Sequence, residues 1–177
     1  MAKVNTRPGG RCQRGASLLE VVVLTFIIAL LMTVAYKRFE QMAEDVERVS
    51  FQGARLKMQA QITLKVAEWY AAGESQSRTA LRMQNPAGLI YETPDNYAGE
   101  VVEAELKTLP GQRWYFVTDR HWLVYKALRT EGISNQFSET DILVLQLDLQ
   151  MQQPERDHGM VLEARLQPVF RFDWQPD

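Results

Sequence analysis

Glu20 is the one charged side chain between Ala16 and Tyr36, a run of 21 residues whose only neutral polar side chains are Ser17, Thr25 and Thr33. About 20 apolar residues in a helix are enough to cross the hydrocarbon core of a bilayer. An ionisable group inside such a run is costly, so it marks function by default and calls for a nearby cation. Directly before the run stand Arg14 and Gly15, the end of a leader, Met1–Gly15, that holds Lys3, Arg7, Arg11 and Arg14 and no acid.

Other residues with chemical capacity are few. The two histidines are His121, in a turn, and His158, in Glu155-Arg156-Asp157-His158-Gly159. The second group has the side chains for acid–base or metal chemistry, but consecutive charges between two alternating strands describe a solvated turn. No Ser/His/Asp constellation, glycine-rich phosphate loop or CxxC pair is present. The expectation is therefore a protein that is not an enzyme, with no catalytic residue, no metal and no cofactor. Trp114, Tyr115, Phe116, Trp122, Tyr125 and Trp174 are types that stack on sugars, yet strand alternation assigns most of them to a core. The formal charge of the chain is −2, and −6 without the four leader cations. That excludes nucleic acid as a partner, which needs cations clustered on one face.

Lys and Arg are richer on the leader side of the apolar run than beyond it, where Lys37 and Arg38 are soon offset by Glu40, Glu44 and Asp45. This orients a single-pass segment with its N-terminus in the cytoplasm and the remainder in the periplasm or outside. A cleavable secretory signal ending at Thr33-Val34-Ala35 is the rival. Glu20 would interrupt its apolar core, and the helical pattern runs on past Glu40 without a break. Cys12, the only cysteine, lies in the leader, so the remaining 162 residues have no disulfide and must hold together by packing.

Beyond the run, apolar or small residues recur at Phe39, Met42, Val46, Val49, Gly53, Leu56, Ala60, Thr63, Ala67 and Tyr70, the three-and-four spacing of an amphipathic helix seam. Met58, Ile62, Val66 and Trp69 add a second line, and Gly73 is a candidate C-terminal cap. A helix from Ala16 to Ala72 would be about 85 Å long. Turn signals fill 73–112, with a short helix at Arg78–Met83 and a strand near Val101–Leu106. Trp114–Thr118 and Trp122–Leu128 form a hairpin around Asp119-Arg120-His121. Ile142–Met151 and Val161–Trp174 alternate as further strands, the last an edge strand or one with a bulge because of Pro168. Each of the four strands has one apolar face, which the helix would cover. The expected fold is α+β: a long N-terminal helix, half anchor and half amphipathic, packed on a C-terminal antiparallel sheet in a lollipop shape. Its divisions are a cleaved leader 1–15, a membrane or filament-core helix 16–38, a sheet-packing helix 39–72 and a loop-and-sheet region 73–177.

The leader, the Gly15–Ala16 junction and Glu20 together resemble the processing site of the type IV pilin and pseudopilin family. By that resemblance a prepilin peptidase cuts after Gly15 and N-methylates Ala16, and Glu20 becomes the acidic fifth residue used in subunit assembly. The partners so implied are the peptidase, the inner membrane, and other pilin or pseudopilin subunits met through the helix. In a bundle of anchor helices the Glu20 carboxylate needs a cation, and the freed amine of a neighbouring Ala16 supplies one. Ala16 replaces the more frequent Phe of the family, and the proline common near Lys37 is missing. Leu109-Pro110-Gly111, Trp114-Tyr115-Phe116 and Trp122-Leu123-Val124-Tyr125 look similar to minor pilin-like proteins of mannose-sensitive haemagglutinin pilus systems. A minor pseudopilin of type II secretion is the runner-up. From a different class, an unprocessed single-span tether carrying a periplasmic binding or assembly module needs neither the cut nor Glu20.

Overall fold

The computed structural model describes residues 18–73, 78–152 and 161–175. The chain divides after Glu40 into two compact units, each described by itself. One helix, α1 (Leu18–Ala71), contributes to both. The rest of the second unit comprises α2 (Arg78–Met83), β1 (Tyr97–Val101), β2 (Arg113–Val117), β3 (Trp122–Lys126), β4 (Ile133–Asn135), β5 (Ile142–Gln152), β6 (Val161–Pro168) and β7 (Phe172–Trp174), with 3₁₀ turns at Pro86–Gly88 and Glu103–Thr108. The expected α+β class is thus observed: a long N-terminal helix whose later turns pack on a largely antiparallel C-terminal sheet.

Five strands form the main sheet in the order β1-β2-β3-β5-β6. The β2–β3 hairpin pairs Arg113 with Lys126 through Val117 with Trp122, and His121 closes its turn at a φ of 55°. Two expectations change here. The strand expected near Val101–Leu106 lies earlier, at Tyr97–Val101, and pairs with β2 in parallel; Glu103–Thr108 winds into a 3₁₀ turn instead. A bulge around Gly99, at a φ of 104°, breaks the register between Tyr97 and Glu100. The run Val161–Trp174 is two strands, not one. It pairs with β5 up to Pro168, breaks, and resumes as β7, which pairs with β4 in a separate ribbon. Pro168 is tolerated at the end of this segment because its missing N–H faces away from β5, while the next residue, Val169, still donates to the Val144 carbonyl.

The centre of the sheet is buried on both faces, where one had been expected. Trp114, Leu123, Tyr125, Leu143, Leu145 and Leu166 face Phe51, Met58, Ile62 and Val66 of α1. Opposite, Val117, Val124, Ile142 and Val144 pack under Leu106 of the 3₁₀ turn, with Trp122, Phe137 and Phe170 at the margin. Buried Lys126 also lies in the sheet centre, and its ammonium donates to the Leu106 and Lys107 carbonyls, both at 2.8 Å. These carbonyls close the 3₁₀ turn, so the lysine ties that cover to the sheet.

Candidate assembly surface on the long helix

In the first unit every described residue of α1 is exposed, and the apolar stretch has a mean hydropathy of 2.7, enough by length and composition to cross a membrane. Its neutral polar side chains are satisfied inside the helix: Thr25 Oγ1 donates to the Val21 carbonyl at 2.8 Å and Thr33 Oγ1 to that of Ala29 at 2.9 Å. Such back-bonding leaves neither threonine hydroxyl asking for water, which suits an apolar surrounding. Glu20 sits exposed in the first turn of α1, where the helix dipole favours a negative charge. Gly15 and Ala16, with the leader, lie outside the described residues, as does the Glu155–Gly159 group with His158.

In the second unit the packed face of α1 is not the most apolar seam. Met42, Val46, Val49 and Leu56 are 61–69% exposed, and Gly53, Ala60, Thr63, Ala67 and Tyr70 also face solvent. Phe39, in the first unit, is 71% exposed. The buried line is Glu44, Glu47, Phe51, Met58, Ile62 and Val66. It extends the second line expected from Met58 onward back through two carboxylates, about half a turn of rotation from the apolar seam.

The sheet domain offers donors at that position. Glu47, whose side chain is 1% exposed, accepts from the Leu128 backbone N–H at 2.8 Å, the Gln112 amide at 3.1 Å and the Tyr125 hydroxyl at 3.2 Å, with Arg129 at 3.5 Å. Glu44 Oε1 accepts from the Gly132 N–H at 2.7 Å and the Trp174 indole at 3.2 Å. Only glycine fits at 132, since a Cβ there would lie 2.4 Å from the Gln175 carbonyl oxygen. The two acids hold the loops after β3 and the end of the chain to the helix. Below them Phe51 stacks on Trp114 with ring centroids 5.3 Å apart, and meets Tyr125 and Trp174 at 5.0 and 5.6 Å. Burial foremost, then the Glu47 charge and hydrogen bond, raise the Tyr125 hydroxyl well above the ordinary tyrosine range. Periodicity alone does not mark Glu44 and Glu47. Their three-residue spacing in line with Phe51 is the available signal, and it needs the donor loops to become legible.

Trp114, Tyr115, Phe116, Tyr125 and Trp174 are buried and Trp122 is half-buried, so the aromatic set forms core rather than a stacking platform. Both outer strands are blunted: β1 by its bulge, and β6 by side chains from α1. Gln59 donates to the Ala164 carbonyl at 2.5 Å and accepts from the Leu166 N–H at 2.7 Å, while Arg55 reaches the Leu166 carbonyl at 3.3 Å. A shallow cleft of about 550 Å³ lies over the polar face of the β4–β7 ribbon, between Ser134, Gln136, Arg171 and Asp173. Among the described residues no three His, Cys, Asp or Glu side chains gather as metal ligands.

Comparison with protein-family models, with curated proteins and with solved structures finds no match to this chain. Its function is read from its own geometry.

Proposed function

We propose that the chain is a structural subunit of a membrane-derived filament: a minor pilin of a type IV pilus, or a minor pseudopilin of type II secretion. On this reading a prepilin peptidase removes residues 1–15 on the cytoplasmic side and methylates Ala16, and the second unit stands in the periplasm. The observation that carries it is the open seam of α1. The sheet centre is covered on both sides and the outer strands are blunted, yet Met42, Val46, Val49 and Leu56 stay exposed on a helix whose earlier turns carry no charge from Val21 to Tyr36. A helix with two apolar lines on opposite faces can bury one against its own sheet and the other only against neighbours or lipid. Head-to-tail repetition of such a contact does not close and grows helically.

Glu20 and the amine of Ala16 then supply the register. An unpaired charge in an apolar bundle is expensive, so each carboxylate selects the position where a neighbour's amine meets it. Intact-mass and N-terminal analysis of protein extracted from membranes tests the reading: it requires a start at methylated Ala16. A retained Met1 supports the tether instead, and a start at Tyr36 a secreted domain. Glu20→Val should preserve insertion and cleavage and abolish incorporation into filaments; normal incorporation would sink the pairing. The tether, with a binding module, is favoured by one observation, the polar cleft on the β4–β7 ribbon.

A further inference from the structure

β6 is the last strand of the main sheet, and its outer side meets helix side chains instead of a strand. Residues 164 and 166 turn their peptide groups outward there, and the same parity places Pro168 with its missing N–H on that edge. The Gln59 amide carries one donor and one acceptor, as a peptide group does. It takes the Ala164 carbonyl and the Leu166 N–H, two outward groups that an added antiparallel strand would bond through two of its own alternate residues. Arg55 takes the next, the Leu166 carbonyl. Burial lowers the pKa of that guanidinium, and its place on a carbonyl partly repays the loss of water.

We propose that Gln59, backed by Arg55, is a built-in block on strand pairing, and that the edge it closes is self-complementary to β6 of a second copy. The sequence of the strand names this occupant. In an antiparallel pairing centred on Ala164, Leu162 stands opposite Leu166, and Glu163 opposite Arg165 of the other copy, twice by symmetry. Centring on 164 also makes outward-turned residues the hydrogen-bonded pairs. The proposal stands apart from the filament reading, because it concerns a contact that does not involve the α1 seam.

The test uses the full chain in detergent micelles, which shield the apolar helix. Sedimentation equilibrium reads the monomer–dimer constant and hydrogen exchange reads the Leu166 amide. Gln59→Ala should favour the dimer at least about tenfold, the equivalent of about 1.4 kcal/mol or one to two hydrogen bonds. Arg55→Ala, which opens only one carbonyl, should act in the same direction and less. In the Gln59→Ala background, Leu162→Pro should restore the monomer. Glu163→Arg should weaken the dimer and the further change Arg165→Glu should recover it. Association unchanged in both single variants overturns the proposal. So does a dimer indifferent to Leu162→Pro or to the charge exchange, since it would then form elsewhere.

Discussion

The two faces of α1 in the second unit make an instructive contrast. One is richer in exposed apolar side chains, Met42, Val46, Val49 and Leu56, and stays uncovered among the described residues. The other begins with two carboxylates and is buried. Hydrophobicity alone would have chosen the first. The second wins because the loops it meets present backbone and side-chain donors to Glu44 and Glu47, and because Phe51, Met58 and Ile62 follow in line over the aromatic side of the sheet. A buried polar group is tolerated where its bonds are made, and an apolar stripe left outside is available for a partner.

The largest effect expected is from Phe51→Ala, about 3–5 kcal/mol of lost stability in thermal or denaturant unfolding, because it empties the centre of an aromatic cluster. Leu56→Ala, on the open seam, should change stability by less than about 0.5 kcal/mol. Equal losses would dissolve the distinction between the faces. Glu47→Ala comes next. It strands the buried Tyr125 hydroxyl, at on the order of 1–3 kcal/mol, and the part-buried Leu128 N–H, at about 1 kcal/mol, so about 2–4 kcal/mol together.

Tyr125→Phe keeps the packing and removes one hydroxyl, for about 1 kcal/mol. Its clearer readout is alkaline titration followed by tyrosinate absorbance. The folded protein holds the Tyr125 proton more tightly than the unfolded chain does. That stabilisation is full below the ordinary tyrosine value and is lost as pH rises above it, so the wild type should destabilise in alkali more steeply than the variant. Smallest is the acid response of the surface pairs. The Tyr91 hydroxyl on Glu68, Lys57 on Glu92 and Lys107 on Glu139 hold those carboxyls below the usual range. Their contribution is present above the ordinary carboxylate value and fades as pH falls through the lowered ones. Salt should flatten this shallow slope, whereas it should leave the Glu47 effect nearly unchanged.

Local chemistry made much of the fold legible. The β2–β3 hairpin, α2, β5, and the cap at Gly73 with its φ of 75° follow from alternation, turn residues and short-range spacing. The parallel β1, the break after Pro168 and the second buried face of the sheet depend on partners distant in sequence. Of the candidate site, the apolar run and the three-and-four seam are plain in the sequence, but the sheet takes the other face of the helix. Spacing identifies a helix face without saying what it meets.

The order of residues alone determined that an apolar helix leads the chain with a single acid near its start, and that alternating strands follow it. Which face of the helix the sheet takes, and that Glu44, Glu47 and Gln59 serve as its fastenings, was decided only in three dimensions. The physical reason is that a polar side chain's free energy inside a protein depends on the donors and acceptors around it, and those come from loops and edges 65 to 130 residues away.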